Sequence, residues 1–197
     1  MKKLSLVILA AVAALGLSAL PGCSTNTQGD SASPVFLFGS FQLLPLTINV
    51  ASHAPVQFTT TILTNRLKNP AATSLQFLDV QVDKYTVVWS RIDGGTKASA
   101  QEDFPGRIVV PPNGSSTLTN YDYMSADNLL RPPLDQLFPF NGGIDKETGR
   151  AEIRQAGSVT WYGHTLSGQP VVSNVATFGL NFSYSPTAGR IELKRAQ

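Results

Sequence analysis

The chain has 197 residues, and its 15 Lys and Arg nearly balance its 13 Asp and Glu. No run of basic residues offers a nucleic acid a charged face, so we expect no nucleic-acid partner. A single cysteine excludes an intramolecular disulfide, so the fold must be held by packing alone.

The N-terminus has the layout of an export signal. Met1-Lys2-Lys3 is positively charged, and the stretch from Leu4 to Leu20 carries no charge. A membrane-spanning helix needs about 20 apolar residues, and this run is shorter and closed by a Pro-Gly pair. We therefore expect residues 1–22 to be a cleaved signal peptide, with an uncleaved membrane helix as the alternative.

The four residues Leu20-Pro21-Gly22-Cys23 follow that run. They resemble the lipobox of bacterial lipoproteins. The resemblance implies that Cys23 becomes the N-terminus, carries a diacylglycerol thioether and an N-acyl chain, and needs no other cofactor. Ser24, in place of an Asp, implies the outer membrane. The alternative is a secreted protein with a free thiol, which is unusual in an oxidising compartment.

The stretch from residue 23 to residue 34 begins with the lipobox cysteine and contains no large apolar side chain. Such composition cannot bury enough surface to offset the entropy of ordering, so it predicts a flexible tether. Residues 35–197 are then expected to form a single domain with a real core.

The body begins with β-type patterns. Val56, Phe58, Thr60 and Ile62 alternate with polar neighbours and predict one strand face, followed by a turn over 65–72. The stretch 75–92 has too many β-branched residues and too great a length for one flat strand. Its apolar parity slips at Asp83-Lys84, which predicts a bulge or a tight turn.

Further short strands are predicted downstream, separated by Gly, Pro and Asn. The clearest alternation places Phe178, Leu180, Phe182 and Tyr184 on one sheet face. Strands spaced in this way predict an all-β fold, a single antiparallel β-sandwich. The other strands are expected at 107–110, 116–119, 159–162 and 171–175.

Residues 125–140 depart from this pattern. A capping Ser125, two leucines, a Pro-Pro step and a second apolar group predict a short helical crossover near residues 125–138. We expect its apolar side chains to close one end of the core, although a binding lip is the alternative.

Two family resemblances concern the body. The NP step Asn69-Pro70 and the turn Val109-Val110-Pro111-Pro112-Asn113-Gly114 resemble the WHy type of β-sandwich of late-embryogenesis-abundant proteins, over about residues 55–120. That resemblance implies a role in desiccation or stress. The whole body is also similar to Ig-like lipoproteins of the bacterial envelope. Neither family supplies catalytic residues.

Residues for catalysis and for metal binding are few. His53 and His164 are the two histidines, too few for a zinc site at ligand spacing. Asp79 and Asp83 would lie about 13 Å apart on a regular strand, too far for one calcium ion. The chain has no Gly-x-Ser-x-Gly or Ser-x-x-Lys motif, so we expect neither a metal site nor catalysis.

The body therefore reads as a non-catalytic interaction or structural module of the envelope, with a protein partner reached through a sheet edge or an end loop. The candidate contacts are Tyr121, Asp122 and Tyr123 in one predicted loop and His164 beside another. Two alternatives stay open. A carrier would hold a lipid or other apolar ligand between the sheets, and a hydrolase would use His164 or a carboxylate cluster in a pocket.

Overall fold

The structure is a computed structural model that describes residues 33–42, 47–71, 75 and 77–186. All of them belong to one compact unit that begins at residue 31. The predicted signal peptide, Cys23 and most of the predicted tether lie outside the described residues. Ser33 is already buried and its hydroxyl donates to the Val35 carbonyl, so the ordered body includes the last two residues of the predicted tether.

The described part of the chain is built from eleven strands, with short helical turns only between β2 and β3 and between β8 and β9. Period-2 burial along the long strands matches the alternation in the sequence, because successive side chains point to opposite faces. The strands are β1 Val35–Gln42, β2 Thr47–Asn49, β3 Val56–Phe58, β4 Thr60–Leu67, β5 Val80–Arg91, β6 Glu102–Val110, β7 Ser115–Leu118, β8 Tyr121–Met124, β9 Glu152–Thr165, β10 Pro170–Val172 and β11 Ala176–Ser183.

These strands form two sheets and a ribbon. The small sheet has the order β1-β4-β7, and the large sheet has the order β2-β11-β9-β5-β6, with β10 beside β9. The ribbon pairs β3 with β8. All pairs are antiparallel except β2 with β11, which is parallel. The predicted all-β, sandwich-like fold is thus confirmed, with one parallel pair that the sequence did not indicate.

The two ends of the body differ in how the chain reaches them. β1 begins at the end where Val35 pairs with Leu67 and where β5 starts at Val80, opposite Thr165. We call this the tether end. The distal end is where β5 and β11 finish, roughly 36 Å away along the twelve residues of β5.

The predicted phase slip in the fifth strand is confirmed as a bulge. The register with both neighbouring strands shifts between Val82 and Lys84, within one continuous strand. The extra residue lets Val82 and Tyr85, which have opposite parity, both point into the core.

The predicted face at residues 56–62 is only partly right. Val56 and Phe58 are buried, but the buried positions of β4 are Thr61, Leu63, Asn65 and Leu67 rather than Thr60 and Ile62. The chain changes partners here, because β3 pairs with β8 whereas β4 pairs with β1 and β7. The strand also continues to Leu67, and so includes the first three residues of the predicted turn.

The predicted helical crossover is confirmed. The helix α1 (Ala126–Leu129) is capped by the Ser125 hydroxyl, which accepts the Asn128 N–H at 3.2 Å. Two 3₁₀ turns follow, Leu134–Leu137 and Pro139–Asn141. As predicted, most leucines of this segment close the core; Leu129, Leu134 and Leu137 are fully buried.

The edges of the large sheet are poor templates for another strand. β2 and β10 have only three residues each. β6 contains Pro105, which lacks an N–H, and Arg107, whose φ of 52° interrupts the extended backbone. The edges of the large sheet therefore offer little regular backbone for strand addition.

Candidate functional site

The three candidate residues at 121–123 lie on strand β8, not in a loop. Tyr123 is fully buried, stacks on Phe58 with ring centroids 4.5 Å apart, and shares a 2.7 Å hydrogen bond with the Thr61 hydroxyl. The prediction that Tyr123 is an exposed contact is wrong, because β8 pairs with β3 and alternate residues of that ribbon face the core. Tyr121 and Asp122 remain half-buried at the surface.

Tyr121 and Asp122 line a shallow cleft of about 240 Å³ with Tyr85 and Phe104. Its polar groups already have partners. The Tyr85 hydroxyl donates to the Asp122 carbonyl at 2.6 Å, and the Gln57 amide donates to the Asp122 carboxylate at 2.7 Å. Burial raises the pKa of Tyr85, so its hydroxyl stays protonated and keeps donating. These contacts stabilise the cleft wall and leave few groups directed at a ligand.

His164 lies near the end of β9, away from that cleft. Its Nδ1 is 2.9 Å from a carboxylate oxygen of Asp83, and both side chains are exposed. Exposed pairs of this kind contribute little free energy of folding. The structure therefore does not bring His164 together with Tyr121 and Asp122.

A larger cleft of about 380 Å³ lies at the distal end, and we call it the end cleft. The Phe138 ring stacks on the Phe140 ring at 5.3 Å, and its centroid is 6.0 Å from that of His53. Tyr184 meets Phe138 edge-on at 5.6 Å. The described residues lining the end cleft are Ala51, His53, Leu130, Phe138, Phe140, Tyr184 and Pro186.

Three separate segments position the walls of the end cleft. His53 ends a 3₁₀ turn in the left-handed region, with φ of 51°. Pro139 begins the last 3₁₀ turn of the crossover and sets Phe138 and Phe140 on either side of itself. Tyr184 follows directly after β11. Because these segments are distant in sequence, only the fold brings their aromatic rings together.

The two phenylalanines of the crossover have different environments. Phe138 is buried, as the prediction that this segment caps the core requires. Phe140, by contrast, is 81% exposed. The preferred prediction placed the apolar side chains of this segment in the core cap, with a binding lip as the alternative, and no sequence signal was used to single out Phe140. The alternation Phe-Pro-Phe was the available signal, because it sends two rings in different directions.

A buried ion cluster joins two loops at the distal end. The Arg91 guanidinium contacts the Asp93 carboxylate at 2.7 Å and the Asp145 carboxylate at 2.7 Å, and all three side chains are almost completely buried. Glu147 completes the cluster by accepting backbone N–H groups of Thr96 and Lys97. Every carboxylate is hydrogen-bonded, so the cluster acts as a clamp between the loop after β5 and the loop before β9.

This pairing lowers the pKa values of the two buried carboxyl groups of the clamp. Burial alone would raise the pKa of Asp93, but the Arg91 guanidinium and the N–H groups of Arg154 and Gly95 outweigh it and hold the pKa at about 2. The pKa of Asp145 is lowered for the same reasons, with hydrogen bonds from Arg91 and Thr148 overcoming burial. The cluster therefore stays charged at neutral pH.

The space between the sheets is filled with aromatic rings. Phe178 lies edge-on to Phe41 at 5.1 Å and to Phe58 at 4.6 Å, and Phe41 also contacts Trp161 at 5.9 Å. Trp89, Trp161, Phe178 and Phe182 are all buried in this core. Tyr162, by contrast, lies half-exposed on the outer face with the Lys84 ammonium 5.5 Å from its ring.

Within the described ranges, no group of three or more His, Cys, Asp or Glu is placed to hold a metal ion. In the same part of the chain, no helix combines the length and the apolar character needed to cross a membrane.

Comparisons with known proteins give little. No protein-family model matches the chain, and no curated protein matches it either. Among solved structures, it is similar to the X-ray structure of Northeast Structural Genomics Consortium target SoR45. The two are 11% identical, the match covers 83% of this chain and 92% of that chain, and the TM-score is 0.31. A likeness of this size carries no information about function.

Proposed function

We propose that this protein is a lipid-anchored, non-catalytic interaction module of the bacterial cell envelope, held on the outer membrane through Cys23. In this proposal, the end cleft binds an apolar or aromatic side chain of an envelope protein partner. The anchor rests on the lipobox, and the binding role rests on the geometry of the distal end.

One observation carries the binding role: the 81% exposure of Phe140 beside a cleft with aromatic walls. Exposed apolar surface next to a pocket is typical of protein-binding sites, where aromatic anchors contribute much of the affinity. None of the described lining residues is Lys, Arg, Asp or Glu, so a charged ligand would lose water there without gaining a charged partner among them. An apolar side chain of a protein fits this chemistry.

The direction of the chain supports the same role. The polypeptide enters the body at the tether end, and the end cleft lies at the distal end. With the anchor on the membrane, this polarity would leave the cleft accessible to a partner across the envelope space.

The two alternatives find less support. A carrier needs apolar space between the sheets, where aromatic rings instead contact one another. A hydrolase centred on His164 would need that residue in a pocket, and His164 lines none of the clefts described above.

The anchor is tested by mass spectrometry of the N-terminal peptide of the mature protein and by cell fractionation. We expect a diacylglycerol and an acyl chain on Cys23, and we expect the Cys23→Ser variant to leave the membrane fraction. An unmodified thiol, or unchanged fractionation of Cys23→Ser, would contradict the anchor.

The end cleft is tested by photocrosslinking in the native host. A benzoyl-phenylalanine at position 140 should give one discrete, protease-sensitive adduct, whereas the same group at the exposed Val88 on the outer sheet face should not. Leu130→Ser should reduce the adduct without lowering the thermal midpoint, because Leu130 is half-exposed. Equal labelling from positions 140 and 88, or no adduct at all, would count against a protein partner at this site.

A further inference from the structure

The tether end presents two neighbouring loops with exposed apolar side chains. Phe77 precedes β5 and is 57% exposed, and Leu166 follows β9 and is 51% exposed. The loops are hydrogen-bonded to each other: the Leu166 N–H donates to the Asp79 backbone carbonyl at 3.1 Å, and the Ser167 N–H donates to the Phe77 backbone carbonyl at 3.2 Å. The two side chains therefore project from one pair of hydrogen-bonded loops, which we call the platform.

The backbone of Phe77 is unusual for an aromatic residue. Its φ is 68°, in the left-handed region that bulky side chains rarely adopt. Residues held in such rarely populated conformations cost free energy, and they are found mostly at functional sites. Here the conformation accompanies a large apolar ring in solvent, next to a second apolar side chain.

The chain itself indicates what this platform faces. Pro34 accepts the Lys68 N–H at the tether end, so the polypeptide leaves the body beside the two loops. From Cys23 to Ser33, where the described body begins, there are 33 − 23 = 10 residues. Such a segment spans about 35 Å when extended and about 17 Å on average when flexible. An anchored body thus stays within reach of the bilayer. Because the tether makes contact with the membrane intramolecular, a weak apolar contact is enough to keep one face of the body on the membrane surface.

We infer that Phe77 and Leu166 insert into the headgroup layer of the membrane to which Cys23 is attached, so that the tether end faces the bilayer. This inference rests on the proposed lipid anchor. The docked orientation turns the end cleft away from the membrane.

The test uses the full lipidated protein in vesicles of phosphatidylethanolamine and phosphatidylglycerol. Because the lipidated Cys23 has no free thiol, a cysteine introduced by Leu166→Cys is the sole labelling site for a nitroxide. We expect the nitroxide at position 166 to collide more with oxygen and severalfold less with a water-soluble nickel complex than a nitroxide introduced by Phe140→Cys at the distal end. Equal nickel collision rates at the two positions would overturn the inference.

A second variant separates membrane docking from other causes of protection. Phe77→Asn, which suits the left-handed backbone, should raise the nickel collision rate at position 166, whereas Val88→Asn on the outer sheet face should not. Protection that appears only when envelope proteins are added would overturn the inference in favour of a protein contact. Mass spectrometry of the same sample reports the anchor separately: a lipidated Cys23 with an unprotected label contradicts docking alone, and a free thiol contradicts both.

Discussion

At the residue scale, close packing leaves no room for a side chain at one glycine of the core. Gly39 lies against the face of the Trp161 ring, and a Cβ there would overlap the ring atoms. We expect Gly39→Ala to lower the free energy of unfolding by about 1–3 kcal/mol, because the indole is fully buried and has no room to shift. Urea denaturation measures the change.

Gly179 provides the matched control. It is also a strand glycine, but a Cβ there would meet only Ile92 at an ordinary 3.7 Å. Gly179→Ala should leave the stability unchanged or raise it slightly. Equal losses in the two variants would show that backbone freedom, rather than the indole, determines the choice of glycine.

The buried hydroxyl of Tyr123 gives a second prediction at this scale. Tyr123→Phe leaves the Thr61 hydroxyl without its partner, so we expect a loss of about 1–3 kcal/mol. Adding Thr61→Val removes the orphaned group and should restore part of that loss. Denaturation of the two single variants and the double variant measures the coupling. Full stability of Tyr123→Phe would contradict the core role assigned to this residue.

At the element scale, the clamp around Arg91 holds two loops that the sheets alone do not join. Arg91→Met leaves buried carboxylates without their cation, so we expect a loss of about 3–5 kcal/mol in urea denaturation at neutral pH. The control is Arg154→Met, which breaks the exposed pair with Glu152 and should cost about 1 kcal/mol or less. Similar losses in both variants would contradict a special role for the clamp.

The same cluster predicts how stability depends on pH. The folded-state pKa of Asp93 is about 2, below its ordinary value of 3.8. A lowered folded-state pKa stabilises the protein above the unfolded-state pKa, and this contribution, on the order of 2 kcal/mol, is lost as the pH falls from about 4 to 2. Urea midpoints between pH 5 and pH 2 should therefore fall more steeply for the natural protein than for Asp93→Asn. Parallel pH curves would count against the pairing.

At the scale of the whole molecule, the body is held by packing and ion pairs and not by covalent links. The single cysteine precedes the ordered body. We expect the thermal midpoint of the protein with its natural Cys23 to be the same with and without a reducing agent, because that cysteine has no partner within the chain. A shift on reduction would indicate a stabilising disulfide between two copies and would contradict this prediction.

Several features of the fold could be read from the sequence because they depend on nearest neighbours. The alternation at Phe178 to Phe182 predicts β11, the parity slip at Asp83-Lys84 predicts the bulge in β5, and Ser125 predicts the start of the crossover. Each of these signals is local, since side-chain period, β-branching and capping act within a few residues. The lipobox is also local, and the anchor that it implies stays a prediction.

The candidate site, by contrast, depended on which distant segments meet. β8 pairs with β3, which buries Tyr123, and three separated segments leave Phe140 exposed beside His53 and Tyr184. Arg91 finds Asp145 across 54 residues of sequence. The sequence by itself thus determined an all-β body with an interruption of the strand pattern at Asp83-Lys84 and a helical cap. Only the tertiary structure decided which aromatic rings fill the core and which face solvent, because burial follows from contacts between elements.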